Sequence, residues 1–295
     1  MVKKLGESRV GFRQSITARA KQIFPSSARF YIRTIESCPR IQFAYLKRAE
    51  FVKALRGFKV YLHIAANFLA ILRLLPKRRY CEFCGWSGFS FVPIYYVDGY
   101  RADVFCPRCR LMDRYRTLVY FARRSEWGTY IRQLRPRVLD IAPTESSGKM
   151  LENEFAARES IGFDISNRWA DVMGDLQDIC FPPESFDLFL CYEVLDYIPK
   201  DNIALAELRR VLKPEGVGIV RVASSQELQT TVEYQKPDAD DSYHIRRYGR
   251  DLPDRFRRAG FEVELMDLTQ TVPERERERL GLDTAPVFFL RRPAR

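Results

Sequence analysis

The sequence has few histidines, two in 295 residues, and no internal repeat, low-complexity tract or long apolar run. Its most apolar stretch, between Lys59 and Arg73, holds 13 residues without a full charge. A membrane span needs ~20 predominantly apolar residues, so a spanning helix is not expected. No apolar segment follows the first lysines, and no secretory signal peptide is expected. Seven cysteines occur without a disulfide framework, which fits a reducing cytoplasm. No glycine-rich loop follows the first strand of the second half, which disfavours a dinucleotide whose pyrophosphate needs close backbone approach.

What the chain has is ample apolar content and a lopsided charge. Hydrophobic residues make up 46%, enough for a packed core, and the net charge is +11. Residues 1–137 carry 28 Lys and Arg against 8 Asp and Glu, so +20, and the remainder carries 21 against 30, so −9. A basic front and an acidic back point to two jobs, the front meeting something anionic: nucleic acid, a phospholipid surface or a phosphorylated substrate.

Four regions are expected. Residues 1–79 are basic, with short helices or an arm over 1–50 and one helix over 51–75 ended by Pro76 and Lys77-Arg78-Arg79. That helix either packs on the rest of the protein, the preferred reading, or lies on an anionic membrane through its polybasic flank, giving peripheral membrane contact over 51–79. Residues 80–112 form a small cysteine module and 113–136 a connecting helix. From Arg137 to the end, strands at 137–142, 160–164, 170–174, 186–191, 217–222, 261–267 and 286–291 alternate with helical segments. This is the pattern of an α/β protein with a doubly wound, mainly parallel sheet.

Cys81-Glu-Phe-Cys84 and Cys106-Pro-Arg-Cys109 stand 21 residues apart, and the segment between them reads as a hairpin that brings the pairs together. Two such knuckles close a tetrahedral four-thiolate site with no open position, so one structural zinc is expected, held by Cys81, Cys84, Cys106 and Cys109. A thioredoxin-like redox reading accounts for only one pair. Cys180 and Cys191, in or beside apolar runs, read as buried thiols. Arg108, Arg110, Arg114 and Arg116 follow closely; they form either a solvated basic face or a clamp for phosphate or carboxylate, with Arg114 and Arg116 the expected substrate contacts.

Residues 186–216, FDLFLCYEVLDYIPKDNIALAELRRVLKPEG, carry a buried strand, a turn, an amphipathic helix, a stop at Lys213-Pro214-Glu215-Gly216 and the start of a second strand. This segment resembles class I S-adenosylmethionine-dependent methyltransferases of the type 11-like group, whose fourth strand reads much like it and whose fifth follows LKPEG. The resemblance implies a Rossmann-like seven-stranded sheet ending in an antiparallel strand, with S-adenosylmethionine as cofactor. Ligands of such sheets bind at the carboxyl ends of the strands. Asp140 and Asp164 each end a strand there, and Asp164 can accept from both ribose hydroxyls. The family's first loop is rich in glycine; here Asp140-Ile-Ala142-Pro143-Thr144-Glu145-Ser146 keeps the acid and replaces every glycine. By resemblance Asp140, Ala142, Asp164, Asp175, Leu176, Cys191 and Glu193 contact the cofactor, and Tyr192 faces the acceptor.

The polar insert at 224–249 is the expected substrate lid. Its His244-Ile-Arg246-Arg247-Tyr248-Gly249 matches an H-x-R-x-Y-G segment of methyltransferases that carry a cysteine module in front. His244 is the candidate base, with a surface histidine as the alternative, and Arg246 and Tyr248 are expected to touch substrate. Glu193 and Asp196 are weaker candidates. That subgroup is associated with bacterial polysaccharide and surface-glycan pathways, implying a small-molecule or sugar-hydroxyl acceptor, lipid-linked if the basic front docks it at the inner face of the membrane. The alternatives are an RNA methyltransferase that binds phosphate backbone through the module and basic front, and a non-catalytic protein with a degenerate cofactor site. No N/D-P-P-Y/F motif for base amines follows the fourth strand.

Overall fold

The structure is a computed structural model that describes residues 62, 65–69, 74–95, 100–166, 168–222, 227–238 and 243–294. The expected arm at 1–50, most of the 51–75 helix and Cys38 lie outside the described residues. The chain forms two compact units; one runs to Asp113 and takes in Arg279–Gly281, and the other comprises Arg114–Glu278 and the chain from Leu282.

The first unit holds two antiparallel hairpins, β1 (Arg79–Cys81) with β2 (Trp86–Gly88) and β3 (Val92–Tyr95) with β4 (Tyr100–Phe105). Its core is small: Cys81, Trp86, Phe91 and Cys106. The helical residues 65–69 dock on it through buried Asn67, whose Oδ1 accepts from the Phe89 and Ser90 amides at 2.9 and 3.1 Å and whose Nδ2 donates to the Ser90 carbonyl at 2.8 Å. Nδ2 also donates to Ser90 Oγ at 3.0 Å, so all of that side chain's polar capacity is used inside the unit. Among the described residues no helix is long and apolar enough to cross a membrane.

In the second unit the expected connecting helix is two: α1 (Asp113–Arg124) and α2 (Glu126–Leu134). Ser125 breaks them, its Oγ capping α2 by accepting from Gly128 N at 3.1 Å. The corner is tight, since a Cβ on Gly128 would meet the Ala122 carbonyl oxygen at 2.0 Å. Seven strands follow: β5 (Arg137–Ile141), β6 (Glu159–Asp164), β7 (Val172–Met173), β8 (Phe186–Tyr192), β9 (Leu212–Arg221), β12 (Glu262–Met266) and β13 (Val287–Arg291). Their order is β12-β13-β9-β8-β5-β6-β7, with β13 antiparallel to both neighbours and the rest parallel. This is the expected sheet. The central strands carry near-continuous apolar runs because helices cover both faces; in β8 only Asp187 is not buried. Helix α3 (Ser147–Phe155) links β5 to β6, and α4 (Asp201–Val211) links β8 to β9, burying Ala204, Leu205, Leu208 and Val211 at helical spacing. Gly218 in β9 is required by packing, for a Cβ there would strike the Phe189 ring at 2.1 Å.

Two local expectations change. Lys213-Pro214-Glu215-Gly216 lies within β9 as an irregularity, with Glu215 at φ 64° and a register shift opposite Phe186–Leu188. The insert expected as a polar lid contains a hairpin of β10 (Val232–Asp238) and β11 (His244–Arg247), followed by α5 (Leu252–Arg258).

Candidate functional site

Strand order reverses between β5 and β8, so their carboxyl ends open the crevice where such sheets bind ligands. Asp140 sits at this point and is 1% exposed. Its Oδ2 accepts from Ser147 Oγ at 2.5 Å, and Ser147 Oγ in turn accepts from Thr144 N at 2.9 Å. The serine at the start of α3 thereby ties the glycine-free loop to the acid it follows. Ala142 adopts φ 54°, the left-handed region, at the position of the family's first glycine. The backbone shape a glycine would allow freely is kept at a cost of about 1–2 kcal/mol. Pro143 packs where a Cβ on Gly162 would come within 2.9 Å of its Cγ. Burial pushes the Asp140 carboxyl up to about 7; the Ser147 hydrogen bond opposes the shift, and the charge of Asp171 adds to it. Oδ1 of Asp140 is buried without a hydrogen-bond partner.

At the end of β6, Asp164 accepts from Ser166 N at 2.8 Å, and at the end of β7 exposed Asp175 accepts from Gln177 N at 2.9 Å. Leu176 is 4% exposed and belongs to the main core. Gly174 beside it is forced, because a Cβ would lie 2.6 Å from the Phe163 ring.

At the ends of β8 and β9, Cys191 and Tyr192 are buried, and burial pushes both groups up. The Tyr192 ring stacks on Tyr115 of α1 at 5.5 Å. Glu193, just past β8, has φ 57°. Both its oxygens are engaged: Oε2 by Arg114 Nη1 at 2.8 Å and Oε1 by Arg221 Nη1. Arg221 Nη2 also pairs with Asp283 Oδ1 at 2.6 Å. Glu193, expected among the cofactor contacts, meets two guanidinium groups here. Arg114 does lie at this crevice, whereas Arg116 is 3% exposed and buried in α1. Ser147, Arg221, Asp283 and Tyr115 were not singled out from the sequence; only the apolar setting of Arg221, ending an otherwise uncharged strand run, offered a signal.

The hairpin corrects three further expectations. His244 is not in a polar loop but opens β11, 8% exposed, its ring 4.7 Å from that of Tyr197. Arg246 is 3% exposed and donates to the carbonyls of Leu195, Ile198 and Pro199 and to Glu233 at 2.8 Å. Tyr248 is fully buried, donating to Asp201 Oδ2 at 2.9 Å. Arg246 and Tyr248 therefore fasten the hairpin to the loop after β8, and their polar atoms face protein rather than substrate. Cys180, expected to be buried, is exposed.

In the first unit the sulfurs of Cys81, Cys84, Cys106 and Cys109 lie within 4.8 Å of one another, with Cys81–Cys109 at 3.8 Å and Cys84–Cys106 at 3.6 Å. Zinc–thiolate bonds of about 2.3 Å at tetrahedral angles set neighbouring sulfurs about 3.8 Å apart, so the donor set fits zinc. The knuckles match in backbone as well: Gly85 N donates to Cys81 O at 2.8 Å and Arg110 N to Cys106 O at 2.9 Å, with φ of 71° and 63°.

The second unit has a Rossmann-like fold, a seven-stranded, mostly parallel sheet. Residues 127–220 match the family model described as a methyltransferase domain. Among solved structures, the chain is similar to an S-adenosylmethionine-dependent methyltransferase from Mesorhizobium loti at 15% identity, covering 58% of this chain and 100% of that one with a TM-score of 0.39. It is also similar to the 1,6-didemethyltoxoflavin-N1-methyltransferase of Burkholderia thailandensis, solved with 1,6-didemethyltoxoflavin and S-adenosylhomocysteine, at 17% identity, covering 68% and 99% with a TM-score of 0.41. No curated protein matches the sequence.

Proposed function

We propose that this chain is a methyltransferase that uses S-adenosylmethionine to methylate a hydroxyl of a small-molecule or glycan acceptor. The observation that carries the cofactor half is Asp140: a buried carboxylate at the strand-order reversal with one oxygen left without a partner. A cationic ligand supplies the charge that such a group otherwise lacks. Asp140, Ala142, Asp164 and Asp175 would hold the cofactor, with Leu176 and Cys191 packing behind them. When bound, it supplies an activated methyl group for in-line displacement. The protein's part is then to orient the acceptor and exclude water. Tyr192 and Arg114 line the acceptor side, and Arg246 and Tyr248 keep the hairpin seated over the loop that follows β8.

His244 is the base in this reading: it accepts the acceptor's hydroxyl proton, and its ring is held by Tyr197. The small module carries structural zinc. His244→Gln should abolish turnover of the acceptor while leaving S-adenosylmethionine affinity within about twofold of wild type, since uniform binding is untouched. Unchanged turnover removes His244 from the mechanism.

A further inference from the structure

The cluster at the ends of β8 and β9 contains more hydrogen-bond donors than its internal acceptors use. Arg221 is 5% exposed, and its Nε has no hydrogen-bond partner although Nη1 and Nη2 meet Glu193 and Asp283. The Tyr192 hydroxyl, on a side chain 2% exposed, is also without a partner. It lies within the field of both Arg221 and Arg114. A guanidinium N–H can only donate, so the unspent capacity calls for an acceptor atom.

The two carboxylates in the cluster are held differently. Asp283 is fixed: Oδ1 accepts from Ala285 N at 2.8 Å and its carbonyl accepts from Thr117 Oγ1 at 2.9 Å. It neutralises one guanidinium permanently. Glu193 is less confined, with 27% of its side chain accessible against 5–15% for the other three members of the cluster. Its backbone is in the left-handed region, at φ 57°, which disfavours a side chain with a Cβ. If the Glu193 side chain swings outward, Arg114 Nη1 and Arg221 Nη1 each lose the carboxylate oxygen they meet here, beside the Tyr192 hydroxyl.

Resting on the methyl-transfer reading, we propose that the acceptor carries an oxyanion, a carboxylate or phosphoryl group, that docks between Arg114 and Arg221 and onto the Tyr192 hydroxyl by displacing the Glu193 side chain. Glu193 is then an internal stand-in for the substrate's own anion. It keeps the two guanidinium groups paired while the site is empty and sets a threshold that neutral acceptors do not cross. Arg221 and Tyr192 are specificity-determining residues, and the reacting hydroxyl lies on the same molecule as the oxyanion.

Calorimetric titration of the whole 295-residue chain with malonate and, separately, inorganic phosphate tests this, with S-adenosylmethionine affinity measured on the same samples. Glu193→Gln removes the competing charge and should raise affinity for one of the two anions about tenfold over wild type, as expected for a charge-assisted pair freed of its rival. Whichever anion gains identifies carboxylate or phosphoryl as the docking group. Adding Arg221→Met to Glu193→Gln should abolish that gain. Tyr192→Phe keeps the ring stacked on Tyr115 and removes only the unpartnered hydroxyl; it should weaken anion binding by about fivefold with no loss of thermal stability. It also serves as the test should Glu193→Gln fail to fold. Folded variants that bind S-adenosylmethionine but show no gain with Glu193→Gln, or no loss with Tyr192→Phe, overturn the anion site and leave methyl transfer standing. Absence of S-adenosylmethionine binding overturns both.

Discussion

Replacing Asp140 by Asn separates what this carboxyl does for the fold from what it does for the cofactor. In the folded chain burial pushes its pKa to about 7 from an ordinary 3.8. The folded state therefore keeps the proton up to about pH 7, while the unfolded chain loses it near 3.8. Stability falls as pH rises across that window and is lower by the full amount above it. At about 1.4 kcal/mol per tenfold change in proton affinity, the loss is on the order of 4 kcal/mol between pH 4 and 8. Asn cannot ionise, so this component of the pH dependence vanishes. Asn keeps a carbonyl oxygen that can accept from Ser147 Oγ, and the stability difference between variant and wild type should move by about 4 kcal/mol in the variant's favour from acid to alkaline pH. Urea unfolding at several pH values reads this directly. The same substitution should weaken S-adenosylmethionine binding at pH 8, where wild-type Asp140 is ionised, and wild-type affinity should fall towards tenfold per unit below about pH 7 as the carboxyl takes up its proton. Parallel stability curves for the two proteins, or a wild-type affinity that is flat from pH 6 to 8, would refute the assignment of a buried, cofactor-facing charge to Asp140.

Two further outcomes follow from the same structure. Metal analysis of protein purified without chelator should give one zinc per chain, and Cys84→Ser should lose it and unfold the first unit, whose core is little more than Cys81, Trp86, Phe91 and Cys106; a folded, metal-free wild type would refute the metal centre. Arg246→Met removes a buried guanidinium that ties three carbonyls of the loop after β8 to the hairpin, and should destabilise the protein by about 3–5 kcal/mol and expose the hairpin to proteolysis; a change below about 1 kcal/mol would show that Arg246 is not the strap.

Much of the sheet was legible in the sequence because parallel central strands are continuous apolar runs bounded by turns. FDLFLCY and the run from Val217 need no tertiary information to be recognised. The two CxxC pairs were legible for a similar reason: each knuckle is local, and only one closure joins them. Asp140 and Asp164 could be placed because strand ends follow from strands. What escaped depended on contacts between residues distant in sequence. Arg221 meets Asp283 across 62 residues and Arg114 meets Glu193 across 79, and no local pattern announces either pair. The break at Ser125 was hidden inside a helical periodicity that continues on both sides. For Tyr248 and Arg246 the sequence offers only residue type, and residue type does not say which way a side chain points; a buried tyrosine hydroxyl on Asp201 and a guanidinium capping carbonyls are equally compatible with that string. The glycine-free loop shows the reverse case, since Ala142 keeps the backbone angle that the missing glycine would have taken.

Binding of S-adenosylmethionine at pH 8 to the chain purified without chelator, measured by calorimetry, tests the central claim most directly. A saturable one-to-one isotherm with a Kd below about 1 mM, weakened by Asp140→Asn, is the result predicted for a working cofactor site. Absence of heat and of any thermal shift at millimolar cofactor, in protein that is folded and metal-loaded, would contradict it and leave the fold without the chemistry.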